Sequence, residues 1–285
     1  MSKRIIILLA TSALLPMFAS ADEHGHHHAQ ADDHVIAEQR AALAENTKGK
    51  GFGPQSPRDI DSSAGHNPRL FNAAPAYTQM NLCNIHFHKN AEHKGGEFTQ
   101  YAGNGDGHGY QSGYKYSGKL SAAELKSASA CNSEHSSLAA GDTIEVHYVH
   151  STAQVKPGPT LGSCLSEAIK NPQLRVETQV YVVVNDKNAL DFGKLTQHGM
   201  KNGLYQATNI PANTGTPVQY AGSTTGPGYN EKGSPFQVTW SVRPKVAKVN
   251  IATVDAWCKG NTFKEDHAHG VRNLVTNQDL LSKID

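Results

Sequence analysis

Three histidines in two short stretches have the types and spacing of a catalytic metal site. His86 and His88 lie two residues apart in Asn-Ile-His-Phe-His, and Glu145 and His147 do so in Glu-Val-His-Tyr-Val-His. Residues i and i+2 of a β-strand share a face, so each pair points one way. If the strands are neighbours, three imidazoles converge, and three neutral imidazoles with one open position are typical of catalytic zinc. Asn84 and Glu145 share these faces, where they can orient the ligand rings.

The elements that carry these residues indicate a mainly β (α+β) protein. From Gly51 onward, glycine, proline and serine separate short apolar runs, as in a domain of strands and loops. No internal repeat and no long linker divides this part of the chain, so we expect a single domain with few short helices. The predicted strands are 82–88, 143–150, 176–184, 236–242 and one near 245–251, and the predicted helices are 35–46, 121–128 and 277–283.

The start of the chain has the composition of a secretory signal peptide. A basic start is followed by an apolar run to about Phe18 and by Ala19-Ser20-Ala21, a small-x-small cleavage site. We predict a signal peptide at 1–21, a His-rich, disordered segment with a short helix at 22–50, and the catalytic domain at 51–285. No later segment is apolar enough to span a bilayer, so we expect a periplasmic or secreted protein. The net charge of +1 gives no electrostatic case for nucleic acid.

Four cysteines follow the predicted cleavage site, namely Cys83, Cys131, Cys164 and Cys258. An even number in an oxidising compartment predicts two disulfides, and three pairings are possible. We expect Cys131–Cys164, which would close the loop around the His147 strand, and Cys83–Cys258, which would tie the His86 strand to the C-terminal region. A thiolate metal site is less favoured, because no pair has Cys-x-x-Cys spacing.

A series of motifs, in the same order along most of the chain, resembles those of the alpha-class carbonic anhydrases. The matching segments are 55–60 for the Gln-Ser-Pro-x-Asp-Ile motif, 84–88 for the first zinc strand, 91–93 for the Ser-Glu-His after it, 145–150 for the third-ligand strand, 222–227 for the threonine loop and 237–240 for the next strand. The short gap before His86, Lys89-Asn90 in place of Trp-Gly, and the Gly/Tyr-rich loop at 103–118 are departures. In these features the chain is more similar to the delta class.

This resemblance implies an alpha-carbonic-anhydrase-like fold, in which a single domain is built around a large, twisted, mostly antiparallel central sheet. It also implies a zinc enzyme that hydrates carbon dioxide reversibly to bicarbonate and a proton. His86, His88 and His147 would hold Zn²⁺ with water in the fourth position, and zinc lowers the pKa of that water to about 7. The resulting hydroxide would attack carbon dioxide. Thr224 would accept a hydrogen bond from the hydroxide and donate one to Glu92, and Thr225 would take this role if the loop is shifted by one residue.

The substrate and the released proton each need further residues. Carbon dioxide is small and apolar, so we expect an apolar patch that excludes water in the wall of the substrate pocket. Its candidate residues are Val149, Val180, Val238 and Trp240. Proton release suits a histidine with a pKa near 7, and His66, His93 and His108 are candidates among which the sequence selects none.

Two alternatives remain open at this point. His86-x-His88-x-x-x-Glu92 also fits the first motif of an exported cupin-like metal-binding β-barrel, although Met80 stands where cupins have glycine and no second cupin motif surrounds His147. In that case Glu92, not His147, would be the third ligand. The other alternative is a non-catalytic zinc-binding protein on the same fold, for which a threonine–glutamate pair that orients a nucleophile would have no use.

Overall fold

The computed structural model describes residues 30–133 and 136–285, so the predicted signal peptide and most of the His-rich tract lie outside the described residues. The helices are α1 (Asp33–Thr47), α2 (Phe192–Leu195) and α3 (Ile251–Cys258), with single 3₁₀ turns at Tyr77–Gln79, Leu161–Cys164, Pro227–Tyr229 and Gln278–Leu280. The strands are β1 (Asn81–Lys89), β2 (Gln100–Tyr101), β3 (Tyr114–Lys115), β4 (Ser129–Ala130), β5 (Leu138–Ala139), β6 (Thr143–Ser151), β7 (Leu174–Val184), β8 (His198–Lys201), β9 (Leu204–Ala207), β10 (Val218–Ser223), β11 (Gln237–Val242) and β12 (Ala247–Asn250). No helix in these two ranges is long and apolar enough to cross a membrane.

A mixed central sheet organises the described part of the chain, with strand order β1-β6-β7-β11-β10 and β12 also paired to β7. The β1/β6, β6/β7 and β10/β11 pairs are antiparallel, whereas β7 runs parallel to both β11 and β12. The predicted mainly β class, with a mostly antiparallel sheet and few short helices, is confirmed. The five predicted strands correspond to β1, β6, β7, β11 and β12.

Both faces of this sheet are covered, so even the polar residues of its central strands β6 and β7 are buried. All eleven residues of β7 are buried. One face, the helix face, packs on α2 and α3 through Phe87, Phe192 and Trp257. The opposite face, the pocket face, carries Val149 and Trp240. Full burial of a valine or phenylalanine side chain, such as that of Phe87, contributes roughly 1.5–3 kcal/mol.

The register between β1 and β6 places the predicted metal ligands together. His86 lies directly opposite His147, and His88 lies opposite Glu145. Side chains opposite each other in an antiparallel pair have Cβ atoms about 4.5–5.5 Å apart, so they are in contact. The register shifts between Leu82 and Asn84, which marks a β-bulge at Cys83. The bulge turns Cys83 onto the pocket face, where it packs with Val149.

The disulfides are Cys83–Cys164 and Cys131–Cys258, so both predicted pairings are wrong. Cys83 and Cys164 belong to the apolar cluster of the pocket face. Cys131 and Cys258 belong to the cluster of the helix face. Each predicted pair would have had to cross the sheet. The bulge that moves Cys83 to the pocket face is the feature that sequence alone did not reveal.

The predicted helix at 35–46 is α1, which starts two residues earlier and packs on the rest of the structure through Ile36 and Leu43. Gln39 adds a polar contact between α1 and the loop at Gly107, because its side-chain amide donates to Gly107 O at 2.6 Å. The helix predicted at 121–128 is wrong. The capping-box bonds between Ser121 and Glu124 do form, but they close a turn, since the chain enters β4 a few residues later. The segment predicted as a helix at 277–283 contains only a 3₁₀ turn.

Candidate metal centre

The imidazoles of His86, His88 and His147 meet on the pocket face of the sheet. One ring nitrogen from each lies within 4.8 Å of the others. Their ring centroids are 5.2 Å apart for His86 and His88, 5.0 Å for His86 and His147, and 4.7 Å for His88 and His147. The alternation of β1 and the register with β6 are sufficient to bring the three rings together.

A fixed acceptor outside the centre holds one nitrogen of each ring. His86 Nδ1 donates to Asn84 Oδ1 at 2.6 Å, and Asn84 is oriented because its own amide donates to a backbone carbonyl. His147 Nε2 donates to Glu145 Oε1 at 2.7 Å. His88 Nδ1 donates to the carbonyl of Gly270 at 2.6 Å, a partner that no sequence pattern reveals. These acceptors fix the tautomers, so His86 Nε2, His88 Nε2 and His147 Nδ1 keep their lone pairs.

The three rings are neutral at pH 7. Burial, with smaller contributions from the neighbouring imidazoles, lowers the pKa of His86 well below its usual value. Burial also lowers the pKa of His88 to about 4. The pKa of His147 falls for the same reason, although its hydrogen bond to Glu145 opposes the shift. A neutral imidazole is the form that binds a metal ion.

The inward-facing nitrogens fit a cation. His86 Nε2 and His147 Nδ1 are 3.2 Å apart, and in these tautomers both are acceptors, so they repel each other unless a positive charge lies between them. His88 Nε2 is buried and has no hydrogen-bond partner among the described residues. Three converging imidazole lone pairs are a donor set that suits zinc.

Glu92 lies behind the centre, not beside these inward nitrogens. Its Oε1 is 3.6 Å from His88 Nδ1, the nitrogen that already faces away from the cluster. His147 therefore completes the set with His86 and His88. This arrangement disfavours the cupin alternative, in which Glu92 would be the third ligand.

A buried hydrogen-bond chain supports His147 through Glu145. Glu145 Oε1 also accepts from His93 Nδ1 at 2.8 Å, and His93 Nε2 accepts from the Tyr220 hydroxyl at 2.7 Å. That hydroxyl is 2.5 Å from Ser56 Oγ, so the 55–60 motif contacts the far end of this hydrogen-bond chain. Burial alone would raise the pKa of Glu145, but His93 and His147 outweigh it and hold the pKa below its usual value. Glu145 is thus a carboxylate that fixes the ring of His147.

The residue that donates to Glu92 is Thr225, not Thr224. Thr225 Oγ1 donates to Glu92 Oε2 at 2.8 Å. The Thr224 hydroxyl is instead paired with Ser234 Oγ at 2.8 Å. The donor to Glu92 is therefore one residue further along the loop than the resemblance implied, and both threonines line the pocket above the histidines. Burial raises the pKa of Glu92, and the bond from Thr225 partly opposes this shift.

A pocket of about 240 Å³ opens over the three histidines. Val149, Val238 and Trp240 line it together with Leu174 and Val176. Val180 does not line it. The strand register explains the difference: Val149 lies opposite Val176 on β7, whereas Val180 lies opposite Glu145 and is buried in the core below the centre.

The three candidate proton carriers lie elsewhere. His93 is fully buried in the Glu145 chain, and His66 and His108 are not among the residues that line the pocket. Among the described residues, the histidine that lines it besides the three central ones is His269, beside Glu265. Sequence reasoning missed both residues. The available signal was a further His-x-His pattern, at His267 and His269.

A family model described as delta carbonic anhydrase matches residues 77–253, which is more than half of the chain. The chain belongs to the delta carbonic anhydrase family. The match spans the three central histidines, Glu92 and Thr225. The resemblance to carbonic anhydrases noted in the sequence is thereby confirmed. The family's reaction is the reversible hydration of carbon dioxide, so the substrates are small molecules, carbon dioxide and bicarbonate.

Solved carbonic anhydrase structures show only weak similarity to this delta carbonic anhydrase. An alpha-carbonic anhydrase from Thermovibrio ammonificans, in complex with sulfanilamide, is 17% identical, covers 82% of this chain and 88% of its own, and has a TM-score of 0.33. A hyperthermostable carbonic anhydrase from a hydrothermal vent chimney is 17% identical and has a TM-score of 0.28, and the match covers 83% of this chain and 90% of that one. Photobacterium profundum alpha-carbonic anhydrase is 14% identical and has a TM-score of 0.26, and the match covers 86% of this chain and 95% of that one. No curated protein sequence matches the chain. The assignment therefore depends on the family model and the site.

Proposed function

We propose that this delta carbonic anhydrase hydrates carbon dioxide at a zinc ion held by His86 Nε2, His88 Nε2 and His147 Nδ1. The observation that carries the proposal is the trio of convergent, neutral imidazoles, two of whose lone-pair nitrogens are 3.2 Å apart. When bound, zinc supplies the Lewis acidity that makes water an effective nucleophile near pH 7. Asn84, Glu145 and the carbonyl of Gly270 hold the rings in place for it.

Thr225 and Glu92 orient the nucleophile. Because the Thr225 hydroxyl uses its O–H to donate a hydrogen bond to Glu92, its oxygen can only accept a hydrogen bond from a group in the pocket. A nucleophile that carries an O–H beside Thr225 must then donate a hydrogen bond to that oxygen and direct a lone pair elsewhere. This selection is of use only to a protein that performs chemistry, so the pair favours an enzyme over a non-catalytic zinc-binding protein.

The apolar wall of the pocket accepts carbon dioxide. Val149, Val238 and Trp240 offer no strong hydrogen-bonding group to the pocket, since the indole N–H of Trp240 donates to Ser223 O at 3.1 Å. An apolar molecule without a dipole can displace water from such a surface, whereas a charged one cannot. Bicarbonate, once formed, is disfavoured against this wall and leaves.

We also propose that the protein works outside the cytoplasm. The two disulfides are compatible with an oxidising compartment, and the composition of residues 1–21 is that of a secretory signal peptide. The periplasm and the extracellular medium are both consistent with these features.

Metal content and hydration rate, measured on the same preparation, test the proposed function. We expect one tightly bound zinc ion per chain, and loss of both zinc and activity in His147→Ala. A matched control is His150→Ala, which removes a histidine three residues along the same strand that is absent from the pocket lining. A His147→Ala protein that retained zinc would contradict the ligand set, and a zinc-loaded wild type without activity would contradict the reaction.

A further inference from the structure

A second group of imidazoles and carboxylates lies beside the pocket, in the segment after α3. Residues 265–269, here called the rim segment, read Glu-Asp-His-Ala-His. Glu265 and His269 line the pocket wall. Asp266 lies further out, with 75% of its side chain exposed. The rim segment follows the last residue of the family match, so the family model does not account for it.

The rings of the rim segment continue the row of central histidines, with His269 next to the centre and His267, whose side chain is 26% exposed, beside His269. The ring centroids of His267 and His269 are 5.7 Å apart. His269 is 5.5 Å from His86 and 5.8 Å from His88, spacings close to those within the centre. The side chain of His269 is 42% exposed, whereas that of His88 is 5% exposed. The row therefore leads from a solvent-accessible ring to the buried centre.

The backbone holds His269 firmly against the strand that carries the ligands. The His269 N–H donates to Phe87 O at 2.9 Å, and its carbonyl accepts from the Lys89 N–H at 3.1 Å. The carboxylate of Glu265 accepts from His269 Nε2 at 2.6 Å, and Glu265 itself is buried. A cation can replace the shared proton and bind both groups. Imidazole with carboxylate is a donor set that zinc accepts.

We propose that Glu265 and His269 form a transient binding site through which the divalent cation passes to and from His86, His88 and His147, with Asp266 and His267 as the outer contacts. This inference rests on the proposed zinc site. A hydrated cation that entered the buried pocket directly would lose its water before it gained ligands, which is costly. Ligands along the route replace that water one step at a time.

A transit site has a distinctive signature. Because it is not part of the final coordination, it lowers the barrier for loading and for release by the same factor and leaves the equilibrium dissociation constant unchanged. A residue that merely supports the central histidines would instead alter the dissociation constant. Fields that focus a cation raise association rates by about 10- to 1,000-fold, so loss of this site should slow both rates by about tenfold or more.

The test uses the metal-free full-length protein and Co²⁺ as the probe. Stopped-flow mixing follows the visible absorption of cobalt in the central site, and excess chelator then gives the release rate. The variants are Glu265→Gln and His269→Gln. The matched controls are His66→Gln and Asp279→Asn, which alter a surface histidine–aspartate pair of 3.7 Å that is not part of the pocket lining.

We expect both rim variants to load and release cobalt about tenfold more slowly, with a dissociation constant within twofold of wild type, and both controls to match wild type. Unchanged loading rates in the rim variants would overturn the inference. A weaker dissociation constant caused by faster release alone would also overturn it, because it would show structural support of the centre. A wild-type protein that gave no cobalt absorption would instead overturn the proposed function, and with it this inference.

Discussion

Replacing Thr225 by valine removes one hydroxyl from the pocket and leaves the shape of the side chain nearly unchanged. In the native protein this hydroxyl donates to Glu92 Oε2 at 2.8 Å. The other carboxylate oxygen has a backbone contact with the Arg272 N–H at 3.4 Å, which is long and weak. Thr225 is therefore the principal donor to a carboxyl group that is 1% exposed.

The expected loss follows from this geometry. A hydrogen bond to a charged group contributes about 1.5–3 kcal/mol. If Thr225 orients the nucleophile through this bond, that energy is lost from the transition state, and each 1.36 kcal/mol corresponds to a factor of about ten in rate. We expect kcat/KM for carbon dioxide hydration to fall by about 10- to 150-fold, with zinc content unchanged because Thr225 does not contact the inward nitrogens.

The assay is stopped-flow hydration with a pH indicator, together with zinc content and thermal unfolding of the same samples. Thr224→Val is the matched control, since it removes the neighbouring hydroxyl, which is paired with Ser234. We expect it to lose about 1 kcal/mol of stability and to keep a near-native rate. A Thr225→Val protein with a native rate, or a Thr224→Val protein that is equally slow, would refute the reasoning.

Three further perturbations have definite expected outcomes. Glu145→Gln should weaken zinc binding by about 10- to 100-fold, because it removes the carboxylate that fixes the ring of His147, and unchanged affinity in a competition titration would contradict that role. Replacing Cys131 and Cys258 by serine should lower the free energy of unfolding by about 2–5 kcal/mol in urea titrations, since this disulfide closes a loop across 127 positions. Burial lowers the pKa of His150 to about 3. As pH falls from about 6.5 toward 3, His150 is therefore protonated in the unfolded chain but stays neutral in the folded chain. The free energy of unfolding should therefore fall over that range by up to about 1.4 kcal/mol per pH unit because of this residue, and His150 should have no effect on it above pH 6.5. His150→Gln should reduce the slope of unfolding free energy against pH, and an unchanged slope would count against this cause.

The sequence was most informative where the chemistry depends on strand alternation. The spacing of His86 and His88 fixed their common face, and the equivalent spacing of Glu145 and His147 fixed the second ligand strand. Antiparallel pairing of the two strands was then enough to bring the rings together. β6 is also rich in residues that favour β-structure, with Thr, Ile, Val or Tyr at five of its nine positions, so local preference and site agree there.

The remaining features depend on relations that local patterns do not encode. The partner of His88 is a backbone carbonyl at Gly270, 182 residues away along the chain. The disulfides depend on a bulge at Cys83, because a shift of one residue exchanges the faces of a strand. The choice between Thr224 and Thr225 depends on a loop conformation, and adjacent threonines are equivalent until that loop is fixed.

The central claim is that three ring nitrogens from β1 and β6 bind a single catalytic metal ion. The most direct measurement is an experimental structure of the zinc-loaded protein with anomalous diffraction at the zinc edge. The expected result is one strong peak bonded to His86 Nε2, His88 Nε2 and His147 Nδ1, at about 2.0–2.1 Å from each nitrogen. A peak bonded to Glu92 in place of His147, or no peak among these three rings, would contradict it.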